Sequence, residues 1–463
     1  MNFSSAGYMG GGVALPTVPV RETVHPMPGD ATSSIQAAIS RVSQMPIAGG
    51  FRGAVSLEPG TYECKGTLTI NTNGVVLRGS GPETIIKMAG SPHVCVSAYA
   101  SLSTKETSRR VHIIDPYVPS GATSFRVDDV SFLRFGDSVR ISHPVTRNWI
   151  HFMGMDGLVR DGQKETWVSE SSELYTDRRI AGIEGNRVQL NIPLTDSLDA
   201  RYLKPSSATV AKSANSGGIS QVGIENLRIV SPPQEVDITQ RHHQAVRMNG
   251  VTDGWLRNLT IDDTVNSISL GSTATRITVE DITFHHTVAT KGAAKPMDLS
   301  ASGAQVLFNR CSGNGDNIFY FVTGPRVTGP IVLLNCTFRG NGHIQPHARW
   351  ATGLLIDNCQ VPESGIDFMN RGEMGSGHGW TIGWAVAWNC TAKSYIIQQP
   401  PGCANWAIGC KGDRILSGMP FGHEPKLPEG IYDSPGTPVQ PSSLYLAQLR
   451  ERLGPQAVRN IGY

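Results

Sequence analysis

Arginine, histidine and tryptophan residues gather between positions 242 and 380 of this 463-residue chain, in which only 17% of the residues are charged. Guanidinium groups bind carboxylates through paired hydrogen bonds, and imidazoles exchange protons near neutral pH. Together these groups suit an acidic substrate whose carboxylate is neutralised while a neighbouring proton is removed. Residues 53–90 contain one arginine, Arg78, and no histidine or tryptophan. We therefore expect the chemistry in the second half of the chain.

The polar residues of this region fall in a few short segments, which we divide between catalysis and substrate binding. The predicted catalytic residues, acting as base, acid or carboxylate ligand, are His243, Tyr320, His347, Arg349, Arg371 and His378. The predicted substrate-binding residues, acting through hydrogen bonds or by stacking on sugar rings, are Arg247, Asp298, Asn317, Trp350, Asn370, Trp380 and Gln398. No cluster of carboxylates typical of a Ca²⁺ site is visible, so we predict no metal and no cofactor.

Hydrolysis of a glycosidic bond would require a different arrangement, with two carboxylates roughly 5 to 9.5 Å apart on either side of the bond. The candidates for such a pair are Asp298, Asp316, Asp367 and Glu373. The segment GSGHGWTIG at residues 375–383 resembles the GHG segment of polygalacturonase-type hydrolases, which implies a role for His378. The NTD tripeptide, the paired-Asp segment and the downstream RIK of those enzymes do not occur at the expected places.

These segments lie in a repeat with an uneven period of about 26 residues, a length typical of solenoids. Each copy is a short β-rich run bounded by Gly, Asn, Asp or Pro, without an intervening helical pattern. One fixed position of the repeat, the ladder position, is occupied by Leu227, Leu259, Ile282, Cys311, Cys336, Cys359, Cys390 and Cys410. The pattern predicts a parallel β-solenoid in which the ladder position points into the interior.

Five of the eight cysteines occupy this ladder, where a thiol is interchangeable with Leu or Ile. Paired spacings such as CxxC are absent, so we predict buried free thiols rather than disulfides or a metal site. An asparagine precedes the ladder position in five copies, and we predict that these amides stack at a turn. They are Asn226, Asn258, Asn335, Asn358 and Asn389.

The segments GDATSSIQAAI (residues 29–39) and GAVSLEPGTYECKGTLTINTNGVVLRGSG (53–81) resemble the first coils of the pectate-lyase-like right-handed parallel β-helices. The resemblance covers residues 25–90 and 215–415. It implies an all-β, right-handed parallel β-helix that acts on a uronic-acid polymer. Ser33 and Gln36 match a capping box, and an apolar stripe at helical spacing predicts a helix that plugs the open end of the solenoid. The stripe consists of Ile35, Ala38, Ile39 and Val42.

We divide the chain into four parts. Residues 1–104 contain an N-terminal segment, the capping helix and the first coils, and residues 105–205 form a small inserted antiparallel β subdomain. Residues 206–415 form the main coils with the groove. Residues 416–463 form an extended segment and a terminal helix that we expect to cover the last coil. Within the insertion, residues 145–178 are polar and aromatic, and this loop either overhangs the groove or is an ordinary exposed connection.

Charge and hydropathy exclude several partners. The formal net charge is +2 and no block of like charge occurs, which argues against nucleic acid and anionic membrane surfaces. No apolar run reaches the roughly 18 to 20 residues of a membrane span, so no membrane insertion is predicted. The first residues lack the pattern of a leader peptide, so either the protein stays inside the cell or a leader has been removed. We expect a secreted or periplasmic protein. The sequence makes no prediction of oligomeric state.

The expected function is a metal-independent lyase that cleaves an acidic polysaccharide by β-elimination. The resemblance implies the lyase activity, whereas the residues themselves indicate a groove with arginine, histidine and aromatic side chains. A glycoside hydrolase on the same fold, with an Asp/Glu pair, is the first alternative. A non-catalytic carbohydrate-binding solenoid is the second, because the fold alone does not decide among these functions.

Overall fold

The computed structural model describes residues 1–419 and 426–463. Its main body is a parallel β-helix of 26 strands, in which each coil pairs in parallel with the coils before and after it. This architecture confirms the predicted fold class, including the N-terminal helix and the antiparallel insertion. No helix within the described ranges is both long enough and apolar enough to span a membrane.

The coils build three faces, and the longest strands bend from one face to the next. The first face contains Val20–Val24, Gly53–Leu57, Val75–Arg78, Ile219–Val230, Val251–Asp262, Thr275–His285, Val306–Asn309, Val327–Leu334, Ala351–Asp357, Val386–Trp388, Trp406–Ile408 and Ile431–Asp433. The second face contains Gly60–Cys64, Thr84–Met88, the ends of Ile219–Val230, Val251–Asp262 and Thr275–His285, then Ser312–Asn314, Thr337–Arg339, Lys411–Arg414 and the beginnings of Gln360–Phe368 and Thr391–Ile397. The third face contains Leu68–Ile70, Val94–Tyr99, Gln244–Asn249, Asn266–Leu270, Met297–Ala301, Phe319–Thr323, His343–Ile344 and the ends of Gln360–Phe368 and Thr391–Ile397.

The cysteine ladder lies inside the turn from the first face to the second. All eight cysteines are free and buried, which confirms the prediction of unpaired thiols. The residue before the ladder position is left-handed in coil after coil, with φ between 50° and 58° at the five asparagines. Asparagine tolerates this conformation better than most other residues.

The predicted continuous amide stack is wrong. Asn258 Nδ2 donates to Asn226 Oδ1 at 2.9 Å, as predicted. The amides of Asn335, Asn358 and Asn389 instead donate to the C-terminal segment, which lies against this edge of the solenoid.

The N-terminal helix, Thr32–Ser43, buries its predicted apolar stripe against the first coils. The predicted capping box is wrong, because the helix begins at Thr32 and its N-cap residue is Ala31. Gln36 instead exchanges two hydrogen bonds with the backbone of Thr69, of 2.7 and 3.1 Å. These bonds tie the helix to the third face.

The insertion is a six-stranded antiparallel sheet with its own apolar core. In spatial order its strands are Ser124–Arg126, Arg187–Leu190, Glu173–Glu184, Ser138–Pro144, Thr209–Gly217 and Leu102–His112. The short strands Val159–Arg160 and Gln163–Lys164 form one hairpin, and Tyr117–Val118 pairs with Leu198–Asp199. The helices Arg147–Phe152 and Ala200–Leu203 lie in the connections.

A tryptophan seam joins the insertion to the solenoid. Trp149 stacks on Trp167 with ring centroids 5.0 Å apart, and both meet the ring of Trp350 edge-on at 6.0 Å. Trp167 Nε1 donates to the carbonyl oxygen of Trp380 at 3.0 Å, and Trp380 Nε1 donates to that of Met153 at 3.0 Å. The loop at 145–178 is thereby held against the coils that carry the predicted site residues.

The C-terminal helices, Leu444–Leu453 and Pro455–Asn460, lie along the outer side of the first face rather than over the last coil. They pack with the N-terminal segment on an apolar row contributed by successive coils, Leu307, Val332, Leu355 and Val386. A short 3-10 helix, Tyr8–Gly10, lies next to this row. The two helices therefore cover one flank of the solenoid, and the strand Ile431–Asp433 of the C-terminal segment pairs with the last coil.

Candidate active site

The candidate site begins on one coil whose side chains alternate along residues 343–349. His343, Gln345, His347 and Arg349 are partly exposed, whereas Ile344, Pro346 and Ala348 between them are buried. Alternation with period two is the geometry of extended backbone. The next coil contributes Asp367, and the loop that follows it contributes Arg371 and His378. Two coils thus bring into contact residues that are 22 to 31 positions apart in the chain.

Arg371 lies at the centre of this cluster. Its Nη1 donates to Nδ1 of His347 at 3.1 Å and to the carbonyl oxygen of His347 at 3.0 Å, and its guanidinium lies 5.5 Å from the ring centroid of Phe319. Burial lowers the pKa of Arg371 to about 10, although nearby Asp367 acts in the opposite direction. The guanidinium is therefore still a cation at neutral pH. Because Nδ1 of His347 accepts its hydrogen bond, the neutral ring carries its proton on Nε2.

The imidazoles of His347 and His378 lie side by side, with ring centroids 4.6 Å apart. Burial, followed by the charges of Arg371 and Arg349, lowers the pKa of His347 to about 4. Burial, followed by the charge of Arg371, lowers the pKa of His378 to about 3. Both imidazoles are consequently neutral at pH 7.

Asp367 contributes a buried carboxylate to the cluster. Its side chain is almost fully buried, and Oδ2 accepts from His343 Nδ1 at 2.7 Å and from Gln345 Nε2 at 2.8 Å. Oδ1 has no hydrogen-bond partner. The carboxylate is thus held by two side chains of the preceding coil.

A glycine-rich loop carries His378 back onto the cluster. Gly375, Gly377 and Gly379 have φ values of 64°, 77° and 54°, and a Cβ at Gly375 would lie 2.3 Å from His378 Nε2. Arg349 Nη2 donates to the carbonyl and hydroxyl oxygens of Ser376, both at 2.6 Å. From the insertion, Arg160 Nη1 donates to the carbonyl oxygen of Gly375 at 3.0 Å, so the 145–178 loop contacts the glycine-rich loop of the cluster.

Buried polar atoms without hydrogen-bond partners are concentrated here. Such atoms are uncommon in folded proteins, because burying a polar group without a hydrogen bond costs free energy. Five of the 20 in the described residues belong to this cluster: Arg349 Nε, Asp367 Oδ1, Arg371 Nε, Glu373 Oε2 and His378 Nδ1. A polar ligand bound at this place would supply the missing partners.

Three predicted groups of residues need correction. Tyr320 is fully buried, stacks on Phe338 at 4.8 Å and hydrogen-bonds to backbone groups, so it belongs to the solenoid core. Trp350 and Trp380 are 2% and 3% exposed in the tryptophan seam, so neither indole offers a face to a sugar. Asp298 is fully buried and accepts from Ser267 at 2.8 Å beside His286. None of these side chains is accessible to a substrate.

The remaining predicted residues are placed as follows. Asn370 and Gln398 are buried, and Gln398 Oε1 accepts from the backbone nitrogen of Asn370 at 2.6 Å, which is a structural contact. Asn317 lies at the turn from the second face to the third, and its amide donates to Thr290. His243 is 2% exposed and pairs with His93 on an earlier coil, outside the cluster. Arg247 is exposed on the outer side of the third face, several coils before Asp367.

The sequence identified six members of the cluster and missed three. His347, Arg349, Arg371 and His378 come together, and Asp367 and Glu373 from the candidate carboxylates join them. Phe319, His343 and Gln345 were not assigned to the site. The segment HIQPHAR at residues 343–349 carried the missed signal, because polar side chains recur at every second position. Within the described ranges, no group of three or more His, Cys, Asp or Glu side chains is placed to hold a metal ion.

Several proteins of known structure have similar chain paths at low sequence identity. The tailspike gp61 of Pseudomonas phage phi297 is 12% identical, with 88% of this chain and 74% of that chain covered and a TM-score of 0.39. The A-module of the Azotobacter vinelandii mannuronan C-5 epimerase AlgE6 is 13% identical, with 90% and 74% covered and a TM-score of 0.41. The tailspike of E. coli bacteriophage HK620, in complex with a pentasaccharide, is 10% identical, with 85% and 55% covered and a TM-score of 0.47. No family model and no curated protein matches the sequence.

Proposed function

We propose that the protein is a polysaccharide lyase that cleaves a uronic-acid-containing polymer by β-elimination at the cluster around Arg371. The observation that carries the proposal is the convergence of two guanidinium groups and two neutral imidazoles, several of whose buried polar atoms have no partner. An anionic sugar is the ligand class that such a cationic, donor-rich site would bind.

Arg349 and Arg371 are assigned to the substrate carboxylate. The Nε atoms of both side chains are buried without an acceptor, and a carboxylate oxygen would satisfy them. Binding the carboxylate between two cations also makes the proton at C5 of the uronate more acidic, because negative charge develops on this group as the proton leaves. The proposal requires no metal, because the guanidinium groups supply the positive charge.

His378 is assigned as the base. It is neutral at pH 7, and its Nδ1 has no hydrogen-bond partner. The cation of Arg371 contributes to the low pKa of this imidazole, so a bound substrate carboxylate would offset that effect and strengthen the base. Burial is the larger cause and persists with substrate bound.

In the proposed elimination, the C5 proton moves to His378, the electron pair of the C5–H bond forms the C4–C5 double bond, and the C4–O bond breaks. The leaving oxygen takes a proton from water. His347, whose Nε2 carries the hydrogen, is assigned as the hydrogen-bond donor to that oxygen.

The carboxylates suit hydrolysis less well. Asp298 is enclosed in the solenoid, and Asp367 is held by His343 and Gln345. Of the named carboxylates, Glu373 alone combines partial exposure with a place in the cluster. A hydrolase needs a pair, so β-elimination is the reaction that the arrangement supports better.

The test is the ultraviolet absorbance of the unsaturated uronate product, measured over a panel of acidic polysaccharides with EDTA present. We expect an increase with the native protein and with Arg339→Gln, an exposed arginine at the far turn of the same coil. Arg371→Gln and His347→Ala should slow the increase by about 10²-fold or more. New reducing ends without the absorbance would replace the lyase with a hydrolase, and binding without either product would leave a carbohydrate-binding solenoid.

A further inference from the structure

A cleft of about 720 Å³ lies between the inserted sheet and the solenoid. One wall is formed by alternate residues of the sheet strands, including Arg140, Tyr175 and Arg179. The other wall is formed by the turns that lead from the third face to the first, at residues 272–275, 302–305 and 325–328. The volume falls within the roughly 300 to 1,000 Å³ of ordinary ligand sites. No member of the cluster around Arg371 lines this cleft.

The lining of this cleft is strongly cationic. Glu173 and Asp177 are the carboxylates in the lining, and Glu173 is paired with Arg110 outside it. Asp177 holds Arg140 through two hydrogen bonds of 2.8 Å, and Arg276 is paired with Asp253. The lining arginines are Arg140, Arg178, Arg179, Arg276, Arg326 and Arg452. Four of the six therefore have no carboxylate partner in the described part of the chain.

The four arginines divide into two kinds. Arg178 and Arg452 are held by backbone carbonyl groups, such as those of Gly329 and Gly10, and shape the walls. Arg179 and Arg326 are exposed, and their guanidinium groups have no hydrogen-bond or ion-pair partner among residues 1–419 and 426–463. One lies on the sheet wall and the other on the solenoid wall, so a ligand in the cleft would meet a free cation on each side.

The cleft also offers the contacts that a sugar uses. Tyr175, with 40% of its surface exposed, presents an aromatic ring, and the guanidinium of Arg140 lies 4.5 Å from its centroid. Hydroxyl groups of Thr252, Thr275 and Ser302 line the opposite wall. Rings of this kind pack against apolar sugar faces, while hydroxyl groups and guanidinium groups bind the polar edges.

The cleft adjoins the cluster around Arg371 through the backbone. The backbone nitrogen of Arg326 donates to the carbonyl oxygen of Arg349 at 3.1 Å, so the two arginines sit on hydrogen-bonded neighbouring turns. We infer that the cleft is a second binding site, for an anionic oligosaccharide segment, next to the site of cleavage. Its role in holding the polymer rests on the proposed function, whereas its affinity for anionic sugars does not.

The test is calorimetric titration with short oligosaccharides at low ionic strength, without measuring turnover. The probes are a trimer of galacturonic acid, its fully methyl-esterified form, and a sulfated disaccharide. The variants are His347→Ala/Arg371→Gln, which removes binding at the cluster, and two variants made in that background: Arg179→Gln/Arg326→Gln in the cleft and Arg21→Gln as the matched control. Arg21 is exposed on the first strand of the solenoid, away from the cleft.

We expect an anionic probe to bind at the cleft of the native protein, of the cluster variant and of the Arg21→Gln control. The esterified trimer should bind all three proteins poorly. The Arg179→Gln/Arg326→Gln variant should lose about tenfold or more in affinity, because two charge-assisted contacts disappear. Equal affinity of this variant and the control would overturn the inference, as would failure of both anionic probes to bind the native protein. Failure of the lyase assay leaves these binding results intact, so the two proposals fail separately.

Discussion

The guanidinium of Arg371 donates to Nδ1 of His347 at 3.1 Å, an arrangement in which a cation is bound to an imidazole rather than to a carboxylate. The contact fixes the tautomer of His347, and the same positive charge opposes protonation of both His347 and His378. Arg371 therefore has two effects on the cluster: it adds positive charge and keeps two potential proton acceptors neutral.

Replacing Arg371 with Gln removes this charge while keeping a polar side chain of similar reach. We expect kcat/KM on the cleaved polysaccharide to fall by about 10²- to 10³-fold, the usual cost of losing a group that stabilises developing charge. Arg371→Lys should recover part of the loss, because it restores the charge without the forked geometry. Initial rates from product absorbance give both values.

Arg339→Gln is the control for this experiment. Arg339 pairs with Glu363 at 3.6 Å on the exposed surface, and its loss should leave kcat/KM within about twofold of the native value. An Arg371→Gln variant as active as this control would remove Arg371 from the reaction.

The solenoid could be predicted from the sequence because its period is local and repeated. In all eight copies of the repeat, the ladder residue follows a turn residue with left-handed backbone. The same turn can therefore be predicted from each copy. Long-range packing left no such signal. Trp167 and Trp380 are 213 positions apart, and no periodic pattern shows that the insertion folds over the coil that carries Trp380.

Tyr320 shows a second limit of periodic reasoning. The strand Phe319–Thr323 shifts its register between Phe319 and Phe321, so Tyr320 and Phe321 both point into the core. A bulge of this kind reverses the inward and outward positions. The alternation at residues 343–349 has no such interruption, and there the outward side chains could have been predicted in full.

The pH dependence of cleavage follows from the pKa values in the cluster. His347 and His378 must be neutral and Arg371 must be charged. We expect kcat/KM to fall as the pH drops towards about 4, to stay level between roughly pH 5 and 9, and to fall again towards about 10. The profile is measured under conditions in which substrate is well below KM.

Nuclear magnetic resonance titration separates this explanation from general acid denaturation. In Arg371→Gln, the pKa values of His347 and His378 should rise, because the second largest cause of their depression is gone. Arg339→Gln should leave the pKa values of both imidazoles unchanged. Unchanged imidazole titrations in Arg371→Gln would show that its charge does not control them.

Trp380→Phe tests whether the tryptophan seam is structural. The variant leaves the carbonyl of Met153 without its donor, so we expect the free energy of unfolding to fall by about 1–3 kcal/mol. The 145–178 loop should become more sensitive to proteolysis, while KM stays unchanged. Trp406→Phe is the matched control, because that indole is half-buried and its N–H has no partner within the described residues. A raised KM with unchanged unfolding would instead return Trp380 to the sugar-binding residues.

Asp357 connects the first face of the solenoid to the C-terminal helix through hydrogen bonds. Its Oδ2 accepts from Ser443 Oγ at 2.7 Å and from the backbone nitrogen of Tyr445 at 2.8 Å, while Oδ1 is buried without a partner. Burial raises the pKa of this carboxyl from 3.8 to about 7, against the opposing effect of the two donors. Because the folded-state pKa is the higher one, the stabilising contribution is fully present below about pH 4 and is lost as the pH rises through about 7.

Asp357→Asn should remove this pH dependence of the free energy of unfolding, which amounts to roughly 3–5 kcal/mol between about pH 4 and about pH 7. The native protein should therefore lose more thermal stability than the variant between pH 4.5 and about 7.5, as measured by the change in Tm at each pH. Asp413→Asn, an exposed aspartate on the strand Lys411–Arg414, serves as the control and should follow the native protein. Parallel Tm curves for all three proteins would mean that Asp357 titrates in the folded protein as it does in the unfolded chain.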